Sequence, residues 1–191
     1  MTRRPPPTSS SSTAKAVSHP AGPPVSGRSP APVPVVGSAD GVGDGAVVVA
    51  VTSRAQADAW DVPGYLAFVD AVPAGVDPTL LGIGGAAAGL ALFGRTGITA
   101  GDLGRVEFTE AFAAQVLASL DLMGLPAESA NRQGGALALG HPYGASGAML
   151  VLRLLQQARA AADAGELSLS ALSIAGGLGL AALWRWETPT R

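Results

Sequence analysis

The sequence predicts an α/β fold, a mixed five-stranded sheet layered with helices behind a Pro/Ser-rich tail. Three observations carry this prediction. Short β-branched and aromatic runs alternate with longer segments of helical period, as strands and covering helices do. Glycine punctuates nearly every junction between them. Composition breaks near residue 36: 9 of the 15 prolines lie at or before Pro34, and no acidic residue precedes Asp40. A Pro/Ser/Ala/Gly stretch without period cannot bury enough apolar surface to offset its ordering entropy, so residues 1–39 are expected to be disordered. Residues 40–191, about 150 in number, can enclose a real core.

Each element has its own signal. Residues 46–51 (Ala-Val-Val-Val-Ala-Val) are continuously apolar and β-branched, which suits a strand buried on both faces. Residues 64–72 read as a second strand, closed by Pro73 and Gly75, and residues 83–93 as a helix ended by Gly94 and Gly97. Residues 99–102 have the form of a short capped turn, and 105–108 of a short strand. A helix is expected over 110–123, with Phe112, Val116, Leu117 and Leu120 on one face and Gly124 as its stop. After a glycine-rich loop over 131–147, a helix runs from about 145 to 164. Its first half is apolar all round, which predicts burial. Strands over 167–174 and 180–186 complete the sheet, joined by a turn rich in glycine.

Composition narrows the function classes. Twelve basic against 14 acidic residues give no electrostatic footprint for nucleic acid. With no cysteine, this sequence supplies no disulfide, no Cys-ligated metal and no thiol nucleophile. Two histidines, His19 and His141, cannot make a histidine-rich metal site, and His19 belongs to the tail. No uninterrupted apolar run approaches the roughly 20 residues of a membrane span. The tail lacks the apolar core of a secretory leader, and its prolines oppose the amphipathic helix of a transit peptide, so a cytoplasmic location is expected.

The informative segment is the loop 131–147, Asn-Arg-Gln-Gly-Gly-Ala-Leu-Ala-Leu-Gly-His-Pro-Tyr-Gly-Ala-Ser-Gly. Its His141 stands between Gly140 and Pro142, ahead of a buried helix, where small neighbours let a ligand approach the backbone closely. A structural histidine in a stiff turn would share that signature. The segment resembles the long Gly-His-Pro loop of the thiolase family, and other landmarks follow in order. Asp44-Gly45-Ala46 with its valine run resembles the last strand of that family's N-terminal half. Gly75-Val76-Asp77-Pro78 followed by Gly82-Ile83-Gly84 resembles the start of the C-terminal half, although Gly85 stands where the family usually has proline. Residues 107–115 resemble its Asn-Glu-Ala-Phe-Ala segment, and 173–179 its Cys-x-Gly-Gly-Gly-x-Gly loop.

The resemblance implies acyl transfer between coenzyme A thioesters, by Claisen condensation or thiolysis, within acyl-CoA lipid metabolism. In that family a cysteine of the N-terminal half carries the acyl group, and the loop histidine activates it and helps bind the thioester oxygen. That role falls on His141. Thr109 stands where the family's asparagine holds an oxyanion water, and Ser173 where its second cysteine moves the α-carbon proton. An alcohol is a far weaker acid than a thiol of pKa about 8.5, so Ser173 is expected to fill the thiol's volume rather than its role. The backbone N–H of Ala175 could serve as an oxyanion donor, and Gly140 and Ser146 as coenzyme contacts. No metal and no covalently bound cofactor is implied; the coenzyme A thioester is substrate.

A Cys-free chain cannot form an acyl-thioester by itself. Faces that would pack on the other half are expected to leave a large exposed apolar patch. The expected partners are acyl-CoA and either a second copy or a separate Cys-bearing N-terminal half. The alternative is a non-catalytic thiolase-like module that binds acyl-CoA or a protein partner. A truncated reading of a longer gene would also fit the odd tail ahead of the match.

Overall fold

The computed structural model describes residues 39–189, so the expectation for the tail lies almost wholly outside the described residues. The elements run α1 (Arg54–Ala59), β1 (Tyr65–Gly75), α2 (Gly84–Thr96), β2 (Leu103–Phe108), α3 (Ala113–Met123), α4 (Ala136–Leu139), α5 (Ser146–Ala161), β3 (Leu167–Ile174) and β4 (Leu178–Glu187). The strands form one mixed sheet in the order β1-β4-β3-β2. Only the β2–β3 pair is parallel; β4 runs antiparallel to both of its neighbours.

The sheet has four strands, not five. The valine run 46–51 makes no ladder, and Val48 and Val51 are 92% and 93% exposed. A β-branched run becomes a strand only where it pairs with a sheet edge, and this segment pairs with neither edge strand, β1 nor β2. The other four expected strands are present. Pro73 does not close β1, which continues to Gly75; β1 is an edge strand, where a missing N–H is tolerated.

The two faces of the sheet differ in chemistry. Val106 and Phe108 of β2, Leu169 and Ala171 of β3, and Ala181 and Leu183 of β4 form the apolar core with α2 and α3. Between them in β2, Glu107 faces the other way and bonds to Arg153 and Gln157 of α5. The helices therefore sit as layers on opposite faces, α2 and α3 on one and α5 on the other.

Helix ends follow their residues. Gly97 and Gly124 both stop helices in the left-handed region, at φ 73° and 69°, whereas Gly94 stays helical. Thr99 and Asp102 close a capping box before β2. The helix expected from 110 starts instead at Ala113, because Phe112 is extended and bridged to Ala39. Helix α5 ends at Ala161, where Ala162 turns extended, with Gly165 in the following turn at φ 90°. The stretch Pro78–Thr96 is 19 residues with mean hydropathy 1.2, long and apolar enough to cross a membrane by length and composition. The expectation from uninterrupted runs missed it. Here its α2 portion is the central core helix, with Ala86, Ala88 and Leu92 fully buried.

One contact sets how closely α2 meets the sheet. Gly84 at its start lies against the backbone of Leu178 and Gly179 in β4, so a Cβ on Gly179 would overlap the Gly84 carbonyl. Gly179→Ala should therefore cost about 1–3 kcal/mol or more through overpacking, read as a lower urea midpoint at unchanged m-value. A loss below about 0.5 kcal/mol, the size of an ordinary surface substitution, would show that α2 can simply slide outward.

Candidate active site

Three chain segments converge on one pocket of about 110 Å³. Residues 43–45 line one part, residues 107–109 another, and the stretch from Gly135 through α4 and His141 into α5 as far as Arg153 the remainder. The loop is held by long-range bonds. Asn131, at φ 48°, accepts from Phe108 N–H at 2.8 Å and donates to Phe108 O at 2.9 Å, clamping the loop start to the end of β2. Glu110 accepts from Asn131 Nδ2 at 2.6 Å and from Leu137 N–H at 2.9 Å, so its carboxylate ties the loop together.

His141 is fixed from several sides. Gly140 precedes it at φ 90°, a conformation that favours glycine. The His141 N–H donates to Gly41 O at 2.7 Å, which joins the loop to the segment before the domain. Ring Nδ1 lies 2.5 Å from Ser146 Oγ, and Tyr143 packs edge-on at 4.7 Å between centroids. Nε2 lies 3.9 Å from Asp40 Oδ2, a buried carboxylate oxygen with no hydrogen-bond partner. Asp40 escaped sequence reasoning; it carries no motif and is marked only as the first acidic residue.

Thr109 is brought to the same pocket. It is 7% exposed, its N–H donates to Ala171 O, and its Oγ1 is buried without a partner. A buried hydroxyl left unbonded carries a desolvation cost, so it is poised to accept a ligand or water. Ser173 and Ala175 do not line this pocket. Ser173 Oγ accepts from Gly85 N–H at 2.9 Å and donates to Gly82 O at 2.7 Å, latching the start of α2 to β3. Ala175 lies exposed in the β3–β4 turn. Ser146 is buried, and its hydroxyl meets both His141 and Pro142 O.

Beneath the pocket, Glu107 is fully buried and paired with Arg153, Nε to Oε2, at 2.8 Å. Gln157 donates to its other oxygen, and Arg153 also donates to Gly134 O. Burial pushes the Glu107 carboxyl above its ordinary range, while Arg153 and Gln157 pull it back. The Arg153 partnership was invisible in sequence, since 46 residues separate the two side chains. Among the described residues no group of three His, Cys, Asp or Glu side chains could hold a metal ion.

Fold and pocket together define a layered α/β domain that presents a histidine on a glycine-rich loop. The family model of the thiolase C-terminal domain matches residues 65–185. The acetyl-CoA acetyltransferase of Cupriavidus necator is 39% identical over 144 residues, covering 75% of this chain and 36% of that protein. The Ascaris suum thiolase solved with coenzyme A superposes at TM-score 0.58 with 32% identity, over 63% of this chain and 31% of that one. The peroxisomal 3-ketoacyl-CoA thiolase of Saccharomyces cerevisiae, five layers built from two core domains of identical topology, gives TM-score 0.63 and 33% identity, over 70% and 38%. The chain belongs to the thiolase family, in which it corresponds to the C-terminal domain and is homologous to acyl-CoA acetyltransferases. It spans little more than a third of the length of the curated relatives it matches.

Proposed function

We propose that this domain is the histidine-bearing half of an acyl-CoA acyltransferase, completed by a Cys-bearing thiolase N-terminal half on the same or another polypeptide. His141 takes the proton of that thiol, the thiolate attacks the thioester carbonyl, and the coenzyme A thiolate leaves and is reprotonated. Thr109 Oγ1 holds a water or the thioester oxygen as charge develops on it. The observation that carries this reading is the convergence of the His141 ring and the unpartnered Thr109 hydroxyl on one pocket. A further fact supports a partner. Leu178 and Leu180 of β4 and Leu117 and Leu122 of α3 are exposed, as are Val48 and Val51. Such exposed apolar side chains would be covered in an assembly with the other half or a second copy.

The test mixes the chain with the Cys-bearing N-terminal half of a matched relative and follows exchange of labelled coenzyme A into acyl-CoA. Exchange above that of either part alone is expected. One observation favours the non-catalytic alternative: Ser173 Oγ gives its proton to Gly82 O and accepts from Gly85 N–H within the fold. Coenzyme A affinity without exchange, for every partner half tried, would select that alternative.

A further inference from the structure

The Ser146 hydroxyl stands 2.5 Å from His141 Nδ1 and 3.0 Å from Pro142 O. Pro142 O already accepts the N–H of Ala145 at 2.8 Å and of Ser146 at 2.9 Å, so it does not need the hydroxyl proton as well. At the other ring nitrogen, Nε2 lies 3.9 Å from Asp40 Oδ2, a buried carboxylate oxygen without a partner. A stranded carboxylate oxygen costs free energy, which a proton on Nε2 offsets. A neutral ring protonated there leaves the Nδ1 lone pair to Ser146. A hydroxyl against one nitrogen of an imidazole whose other nitrogen meets a carboxylate is a nucleophile–base–orienter set. Such sets recur on unrelated folds and are recognised by geometry and role. The 3.9 Å link is longer than a hydrogen bond, and these links are often looser before substrate binds.

The pocket reaches this set. Ser146 and His141 both line it, beside the apolar Phe108, Leu139, Met149 and Leu150 and the unpartnered hydroxyl of Thr109. We propose that Ser146 is an acyl acceptor and that this chain, by itself, hydrolyses acyl thioesters, with His141 as the base and Asp40 as a positioning residue. His141 Nδ1 takes the Ser146 proton as Oγ bonds to the thioester carbonyl carbon. The C–S bond then breaks, and the leaving thiolate takes that proton from Nδ1. Water next attacks the acyl-serine and gives a proton to Nδ1. The C–Oγ bond breaks, Oγ recovers the proton, and a free acid and a free thiol remain. The Thr109 hydroxyl donates to the carbonyl oxygen as charge gathers on it in both stages. The protein supplies no thiol at any step, as a chain without cysteine requires. The activity goes beyond acyl exchange in an assembled enzyme and needs no second half.

The experiment uses the full chain alone with acetyl-coenzyme A, following released thiol by a colour reaction. A fluorophosphonate, which traps an activated serine irreversibly, marks the nucleophile by peptide mapping. The wild-type chain should release thiol faster than buffer, and the fluorophosphonate should label Ser146 and stop the release. Ser146→Ala should abolish both, and Ser146→Cys should restore acylation. Asp40→Asn should lower kcat by about 10²–10⁴-fold at unchanged KM and unchanged unfolding temperature, the effect of losing the orienting carboxylate of such a set. Thiol release no faster than buffer, a Ser146 left unlabelled, acetyl found only on Lys15 or the N-terminal amine, or Asp40→Asn turning over as wild type would each overturn the proposal. The wild-type peptide map decides even if a variant fails to fold. Failure here leaves the exchange expected of the assembled enzyme untouched, and absence of that exchange leaves the hydrolysis standing.

Discussion

In the assembled enzyme, His141→Ala should lower acyl transfer by about 10²–10⁴-fold, the usual contribution of a positioned general base. The His141 side chain lies on the loop rather than in the apolar core, so its truncation should leave folding intact. The backbone N–H that bonds Gly41 O survives the change. The readout is single-turnover acylation alongside thermal unfolding of the same samples. Thr109→Val keeps shape and removes the unpartnered hydroxyl, and should cost about 10²–10³-fold, as for loss of one oxyanion donor. Activity within threefold of wild type in the histidine variant would remove His141 from the chemistry.

Arg153→Met should destabilise the domain by about 3–5 kcal/mol, because it strands the Glu107 carboxylate in a fully buried site. Such a loss is a large part of the 5–15 kcal/mol typical of whole domains. The effect has a pH signature. The folded-state pKa of Glu107 already lies above its ordinary value of 4.5. The carboxyl therefore binds its proton more readily in the folded than in the unfolded state. Its favourable contribution is complete below the ordinary value and is lost as pH rises through the raised folded one. Removing Arg153 raises that folded value further, so the damage should be greatest at neutral pH and shrink in acid. Adding Glu107→Gln removes the stranded charge and keeps an acceptor for Gln157, and should recover most of the loss. Urea unfolding of the two variants across pH tests both statements. A loss independent of pH would mean that Arg153 acts through its bond to Gly134 O instead.

Features carried by neighbouring residues were legible in the sequence. Gly97 and Gly124 as helix stops, the Thr99–Asp102 capping box and the strands β3 and β4 all depend on local conformational preference, which a short window records. The valine run failed because propensity says a segment would suit a sheet, not that it will pair with one. Helix α3 began late because a bridge from Phe112 to Ala39 overrides the local helical pattern. For the site, the resemblance singled out His141 and Thr109, which both line the pocket, and Ser173 and Ala175, which do not, while Asp40, the Glu107–Arg153 pair and the twofold bonding of Ser173 were hidden. Each joins groups far apart in the chain, and neither period nor composition encodes such a meeting.

The matched family domain begins at residue 65, yet the carbonyl that holds the His141 backbone belongs to Gly41, and one wall of the pocket to Gly43–Gly45. The domain that the family model draws and the unit that the site requires thus have different borders. A fragment cut at the first could keep the sheet, the core and the histidine, and still lose the strap that aims the ring. The smallest piece that retains the site starts no later than Ala39, whose bridge to Phe112 anchors that strap.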